Sequence, residues 1–306
     1  MILVVGGSSF IGRGIQDLIK EKPFAKEFIF TYNKHPENIE NKFQKVKLDL
    51  QDEKDCELAR NFSYCIYLAG NSLHNMAYNN PIMDLDLNVR NFLNFMKHFR
   101  GQLILLSSQA VYYGLTGEIP ENIIHYPTIP YGISKRFQEE YAKYFYKIGY
   151  LSKLWIFRLM YSFGKGERMD RLIPKCAKSA VNGDIVKVLG GGRSFLNPLP
   201  VNFVAEVLVN ALLTMKEEDN EFLEVTNLNH SEKVSVLDIV KFLHTIKPFN
   251  YIVEEKGEIW PVSFWGSTEK LSRYLKKWNI SFPNIWEDLE IYFKNLLTNM
   301  REKNYE

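Results

Sequence analysis

Residues 2–12 read ILVVGGSSFIG, four apolar residues running without a break into a turn of glycine and serine. A strand buried on both faces has such a continuous apolar run, and a strand that feeds a small-residue turn opens a βαβ unit. Three demands act on that turn if it holds a dinucleotide: it must be tight, its backbone must approach a pyrophosphate, and the helix must pack close to the strand. Gly6 and Gly7 answer the first demand and Gly12 the third. Ser9 stands where a middle glycine is expected, and a serine there can offer its hydroxyl to a phosphate oxygen at the helix N-terminus. The loop alone does not separate a cofactor cradle from an ordinary strand-to-helix turn.

Working outward, short apolar runs alternate with helical patterns. Strands are expected at Ile2–Val5, Glu27–Tyr32, Lys45–Leu48, Tyr64–Ala69, Gln102–Ser107 and Leu154–Leu159, with helices at Ile11–Glu21 and Val89–Phe99 and a long one after Tyr131. This alternation predicts an α/β fold: a doubly wound, Rossmann-like parallel sheet with a smaller, interleaved C-terminal substrate lobe. Residues 1–160 and 197–226 are expected to form the dinucleotide-binding domain, and residues 161–196 and 227–306 the lobe. Right-handed crossovers put the strand C-termini along one edge, where ligands bind. Gly6–Gly12, Ala69, Gly70, Ser107 and Ser108 all fall there.

The charge balance, 38 basic against 36 acidic residues in 306, argues against a polyanion surface and so against nucleic acid as a partner. Three cysteines without C-x-x-C spacing fit buried thiols in a reducing compartment. With no signal-peptide pattern and no apolar run near ~20 residues, the expectation is a cytoplasmic protein without a membrane span. No His/Cys/Asp cluster has metal-ligand spacing, so no metal is expected. His74 and His125 flank the expected cleft, each more simply read as structural.

"IPYGISK" places Tyr131 and Lys135 four apart at a helix start, hence on one face. An ammonium near a phenol favours the phenolate, which would let Tyr131 exchange a proton with a carbonyl or alcohol oxygen while hydride moves. Ser108, at the end of the fifth strand, can bond that same oxygen. After the second strand, "FTYNKHP" has no acidic residue to take a ribose 2′-hydroxyl, while Asn33 and Lys34 suit a 2′-phosphate, so the cofactor expected is NADP, with NAD the alternative. Asp49 and Leu50 close the third strand where an adenine's edge and face would lie.

"GGSSFIG", "SSQAVYYG", "YGISK" followed by Glu139, the Asn88-Val89 pair and Arg158 in "FRLMYSFG" together resemble an extended short-chain dehydrogenase/reductase, in the branch of NAD(P)-dependent sugar epimerases, dehydratases and reductases. The resemblance implies Ser108, Tyr131 and Lys135 as the catalytic set. It implies Gly6, Ser9, Phe10, Ile11, Gly12, Asp49, Leu50, Ala69 and Gly70 as cofactor contacts, Asn88 as a support acting through its backbone or a water, and a homodimer as a further expectation.

Two residues sort the branch. Dehydratases of this resemblance carry Asp-Glu after the serine, whereas Gln109 and Ala110 stand here, so water elimination lacks its acid and base. The Asn33-Lys34 pair then favours reduction of a 4-keto group on a nucleotide-linked sugar. A 4-epimerase with tightly held NAD is the alternative, and a cofactor-sensing, non-catalytic member a more distant one. The lobe lacks the Asn and the Arg-Asp-Phe run common among such enzymes. Arg171, Lys175 and Arg193 remain as cations that could meet a diphosphate.

Overall fold

The computed structural model describes residues 1–258 and 260–302; Ile259 and residues 303–306, both within the expected lobe, lie outside the described residues. Seven strands form one sheet: β1 (Ile2–Val5), β2 (Phe28–Tyr32), β3 (Gln44–Lys47), β4 (Tyr64–Tyr67), β5 (Gly101–Ser108), β6 (Leu151–Leu159) and β7 (Phe222–Leu228). Their order is β3-β2-β1-β4-β5-β6-β7, and every neighbouring pair is parallel. The order reverses between β1 and β4, the point at which open α/β sheets form a ligand crevice beyond the strand C-termini.

Side-chain alternation builds the two layers. Ile2, Val4, Phe28, Phe30, Ile66, Ile104, Trp155 and Phe157 face helices α1 (Phe10–Ile19) and α5 (Val201–Glu217). Their sequence neighbours Leu3, Val5, Ile29, Cys65, Tyr67, Leu103, Leu105, Leu154 and Ile156 face α2 (Asn91–His98) and α3 (Pro130–Lys147). Strands β1, β2 and β4 thus bury both of their faces, which is why their sequences are apolar, whereas the edge strand β3 is exposed at Gln44 and Lys47. A second core joins α4 (Leu172–Asn182), α6 (Val236–Ile246) and α8 (Ile285–Glu302) through Ile173, Cys176, Ile239, Leu243, Leu289 and Phe293. All three cysteines are buried and unpaired.

Two elements differ from expectation. The helix expected at Val89–Phe99 is preceded by a π-helical turn, Asp86–Arg90, which carries Asn88 inward. Helix α7 (Glu269–Lys277), inside the segment expected in the lobe, instead buries Leu271 and Leu275 in the first core. Its apolar residues recur at helical spacing, and the Tyr274 ring lies 4.5 Å from that of Trp155 on β6. Spacing announces such a face but not which layer it meets.

Candidate active site

The glycine turn is held by backbone geometry. Gly6 has φ of 80°, a left-handed value that favours glycine, and its N–H donates to Thr31 Oγ1 at 3.0 Å. A Cβ on Gly12 would lie 2.6 Å from the Gly7 carbonyl carbon and 2.8 Å from the Gly6 oxygen, so α1 can approach the turn only without one. Ser9 has φ of −74°, which any residue adopts, and this is why no glycine is needed there. Its hydroxyl accepts from the Gly12 N–H at 3.2 Å and caps α1. The Arg13 N–H bonds the Ser9 carbonyl, so the Phe10 and Ile11 N–H groups stay at the open helix end. This cradle of close backbone and free donors fits a dinucleotide's pyrophosphate.

Of the other expected cofactor contacts, Ala69 lies directly against it. A Cβ on Gly6 would touch the Ala69 nitrogen at 3.1 Å, so the turns after β1 and β4 lie side by side. Gly70, with φ of 145°, leaves the space that Asn88 Oδ1 occupies. Asp49 Oδ1 accepts from the Gln51 N–H at 3.0 Å and Leu50 is buried beside it. Asn33 and Lys34 are exposed past the end of β2.

Tyr131, Lys135, Gln138 and Glu139 are all buried on α3. The helix is locked to the sheet by a buried ion pair: Arg158 Nη2 on β6 lies 2.7 Å from Glu139 Oε2, and the Ser107 hydroxyl donates to Glu139 Oε1 at 2.6 Å. Arg158 also reaches the Tyr112 hydroxyl at 2.7 Å. A second network holds the helix from the other side. Asn88 Nδ2 donates to Ser134 Oγ at 2.9 Å and to the buried Asp84 Oδ1 at 3.0 Å, and its Oδ1 accepts from the Asn71 N–H at 2.8 Å. Asn88 therefore supports the site through its side chain, in place of the backbone or water contact expected for it.

Between these anchors lie Ser108, Tyr131 and Lys135, the residues expected to form the acid–base set. The Ser108 hydroxyl faces the Tyr131 phenol and favours its ionised form, but burial dominates and pushes the phenol up to about 12. Lys135 does not supply the lowering expected of it. Its ammonium is engaged by the Leu106 carbonyl at 2.9 Å and Gln138 Oε1 at 2.6 Å, and burial brings it down to about 8, opposed by Glu139 and Asp84. His74 packs its ring 4.8 Å from that of Tyr131, and burial brings its imidazole down to about 4, so it is neutral near pH 7. Gln109 is also buried: its amide joins the Asn229 side chain and takes the Gly266 N–H at 3.0 Å, well committed away from proton transfer.

The three lobe cations separate. Arg171 acts on Tyr131 and His74 through space, while its guanidinium donates to the Ser162 carbonyl at 3.0 Å, pairs with Glu167 at 3.3 Å and lies 4.0 Å over the Tyr161 ring. Lys175 is exposed on α4. Arg193 is exposed and pairs with Glu255 at 2.8 Å beside a cleft of about 340 Å³ bordered by Gly190, Ser194 and Glu258. Of the three, only Arg171 is brought to the acid–base set.

The family model for the NAD dependent epimerase/dehydratase family matches residues 2–225. The chain belongs to this family. Among its relatives is a protein of Methanocaldococcus jannaschii named "Putative UDP-glucose 4-epimerase", 31% identical over 267 residues, which span 79% of this chain and 81% of that one. Solved family folds superpose over nearly the full length. UDP-glucose 4-epimerase of Thermotoga maritima, with UDP-glucose, gives a TM-score of 0.84 at 20% identity over 98% of this chain and 99% of that one. UDP-glucuronic acid 4-epimerase of Bacillus cereus, with UDP-glucuronic acid and NAD, gives 0.83 at 18% identity over 98% and 99%. At those identities the likeness establishes the fold, and the expected Rossmann-like architecture stands. Among the described residues, no helix is long and apolar enough to cross a membrane.

Sequence reading missed Gln138, although its place three residues after Lys135 puts it on the same helix face. It also missed Asp84 and Asn71, for which no spacing gave a signal.

Proposed function

We propose that the protein is a 4-epimerase of a nucleotide-linked sugar that retains NAD, with Tyr131, Ser108 and Lys135 as its acid–base set. The observation that supports this reading is that Ser108 meets the Tyr131 phenol, with Lys135 buried one turn along the same helix, while the neighbouring polar groups are committed elsewhere, Glu139 to Arg158 and Gln109 to Asn229 and Gly266. Such a site serves a single alcohol or ketone oxygen. That suffices for oxidation and re-reduction at one carbon and not for dehydration, which needs a further acid and base. Reduction with NADPH would use the same groups; the curated relative and the solved neighbours, named as sugar 4-epimerases, favour the epimerase and NAD over the 4-keto reductase and NADP.

Bound NAD would rest on the Gly6–Gly12 cradle, with Asp49, Leu50, Ala69 and Gly70 alongside, and would supply a hydride acceptor. Tyr131 takes the proton of the sugar hydroxyl and returns it to the new alcohol. Ser108 holds that oxygen, and the Lys135 ammonium would meet the nicotinamide ribose. Arg171 stands nearest for the anionic part of the substrate. Purified protein incubated with UDP-glucose or UDP-N-acetylglucosamine, followed by NMR, should give the C4 epimer with no added cofactor and no net change in NADH absorbance. Stoichiometric NADPH consumption with a 4-keto sugar would replace this reading with the reductase.

A further inference from the structure

Lys135 has an uncommon set of partners. Gln138, one helical turn along α3, is fully buried and puts its amide oxygen 2.6 Å from the Lys135 ammonium. Its amide nitrogen is buried without a hydrogen-bond partner. A buried donor left without a partner is destabilising, so packing alone would favour an apolar side chain of the same shape. The carboxylate next in sequence, Glu139, is held by Arg158 and Ser107. The ammonium is therefore met on one side by the Leu106 carbonyl of β5 and on another by a neutral amide, with no carboxylate in direct contact.

We infer that Gln138 is a positioning residue, whose amide oxygen anchors the Lys135 ammonium without neutralising it, so that the positive charge is kept in the site. The inference rests on the reading of Tyr131 and Lys135 as the acid–base pair. The physical logic is a choice between three acceptors. An apolar side chain would leave a buried ammonium poorly solvated and make it give up its proton at lower pH. A carboxylate would hold the proton more tightly but cancel the positive charge in the site. An amide keeps the ammonium in place and leaves its net charge intact. The charges that bear on Lys135 are Glu139 on its own helix, whose charge Arg158 on β6 offsets, and Asp84 on the helical segment Pro81–Leu85.

Two variants push the lysine in opposite directions. Gln138→Met keeps the shape and removes the acceptor; Gln138→Glu keeps an acceptor and adds a charge. The test is the kcat–pH profile together with the titration of Lys135 in NAD-loaded and cofactor-stripped protein, read by NMR of Cε-¹³C lysine and assigned with Lys135→Met. The high-pH limb and the lysine titration should both move to lower pH by about one unit in Gln138→Met and to higher pH by about one unit in Gln138→Glu. Activity at pH 7 should fall about tenfold in each. Unchanged titrations overturn the inference whether activity is kept, which makes Gln138 dispensable, or lost, which makes it a packing residue. Because the lysine titration needs no substrate, it reports on Gln138 even if the protein proves to catalyse another reaction, and a failed epimerase assay is told apart from a failed inference.

Discussion

Lys135 and the lobe cations Arg171, Lys175 and Arg193 were all candidates on sequence, yet the molecule treats them in opposite ways. Lys135 is buried, with two acceptors within 2.9 Å, on a helix locked to the sheet by an ion pair. Arg171 is half-buried and tied to its own loop, Lys175 is exposed, and Arg193 pairs across another cleft. Local spacing decides function where a rigid helix fixes the outcome. It says little where a side chain's neighbours arrive from distant segments.

The largest expected effect breaks the rigid half directly. Tyr131→Phe removes the proton carrier and should lower kcat by about 10²–10⁴-fold while NAD stays with the purified protein; turnover unchanged with every accepted sugar nucleotide would refute the assignment. Gly12→Ala comes next. The added carbon meets the Gly7 carbonyl, so α1 must shift, and retention of NAD after gel filtration should fall by more than about tenfold. Arg158→Met leaves Glu139 buried without its cation and should cost about 3–5 kcal/mol in urea unfolding at pH 7.

That pair also sets an acid limit. Burial alone would raise the Glu139 carboxyl, but Arg158 and Ser107 bring it below its ordinary 4.5. A depressed carboxylate contributes stability that is present above the unfolded value and lost as pH falls through the folded one. Stability should therefore hold from pH 7 to about 5 and decline below about 4.5, a decline that Arg158→Met should flatten. A urea midpoint that falls equally in both proteins would remove the pair from the account.

The lobe half predicts a graded result. Arg171→Ala should raise KM for a nucleotide sugar about tenfold, the scale of one charged hydrogen bond, whereas Lys175→Ala and Arg193→Ala should change it less than about twofold. A reversed ranking, read from initial rates, would show that the substrate's anionic part lies by the Gly190–Glu258 cleft. The smallest effect is Ser9→Gly, which loses a helix cap at a position open to any residue and should cost a few tenths of a kcal/mol by thermal unfolding, with NAD retained.

Much of the fold was readable because parallel strands buried on both faces write continuous apolar runs. The starts of β1 to β5 were each placed within one residue. The π turn before α2 was not, since Asn88 reaches inward to Asp84 one turn earlier and to Asn71 and Ser134, which arrive from two other segments. The docking of α7 was not legible for a related reason: Leu271, Tyr274, Leu275 and Trp278 announce an apolar face, but its partners Trp155, Thr214 and Glu224 lie in distant segments.

By itself the sequence determined the sheet, the glycine turn and the Tyr131–Lys135 register, because each depends on spacings of a few residues along one element. Tertiary structure decided why Ser9 needs no glycine, how Lys135 is held by Gln138 and Leu106, and that only one lobe cation joins the site. Those outcomes depend on backbone angles and on partners brought together from distant parts of the chain, and no local pattern encodes them.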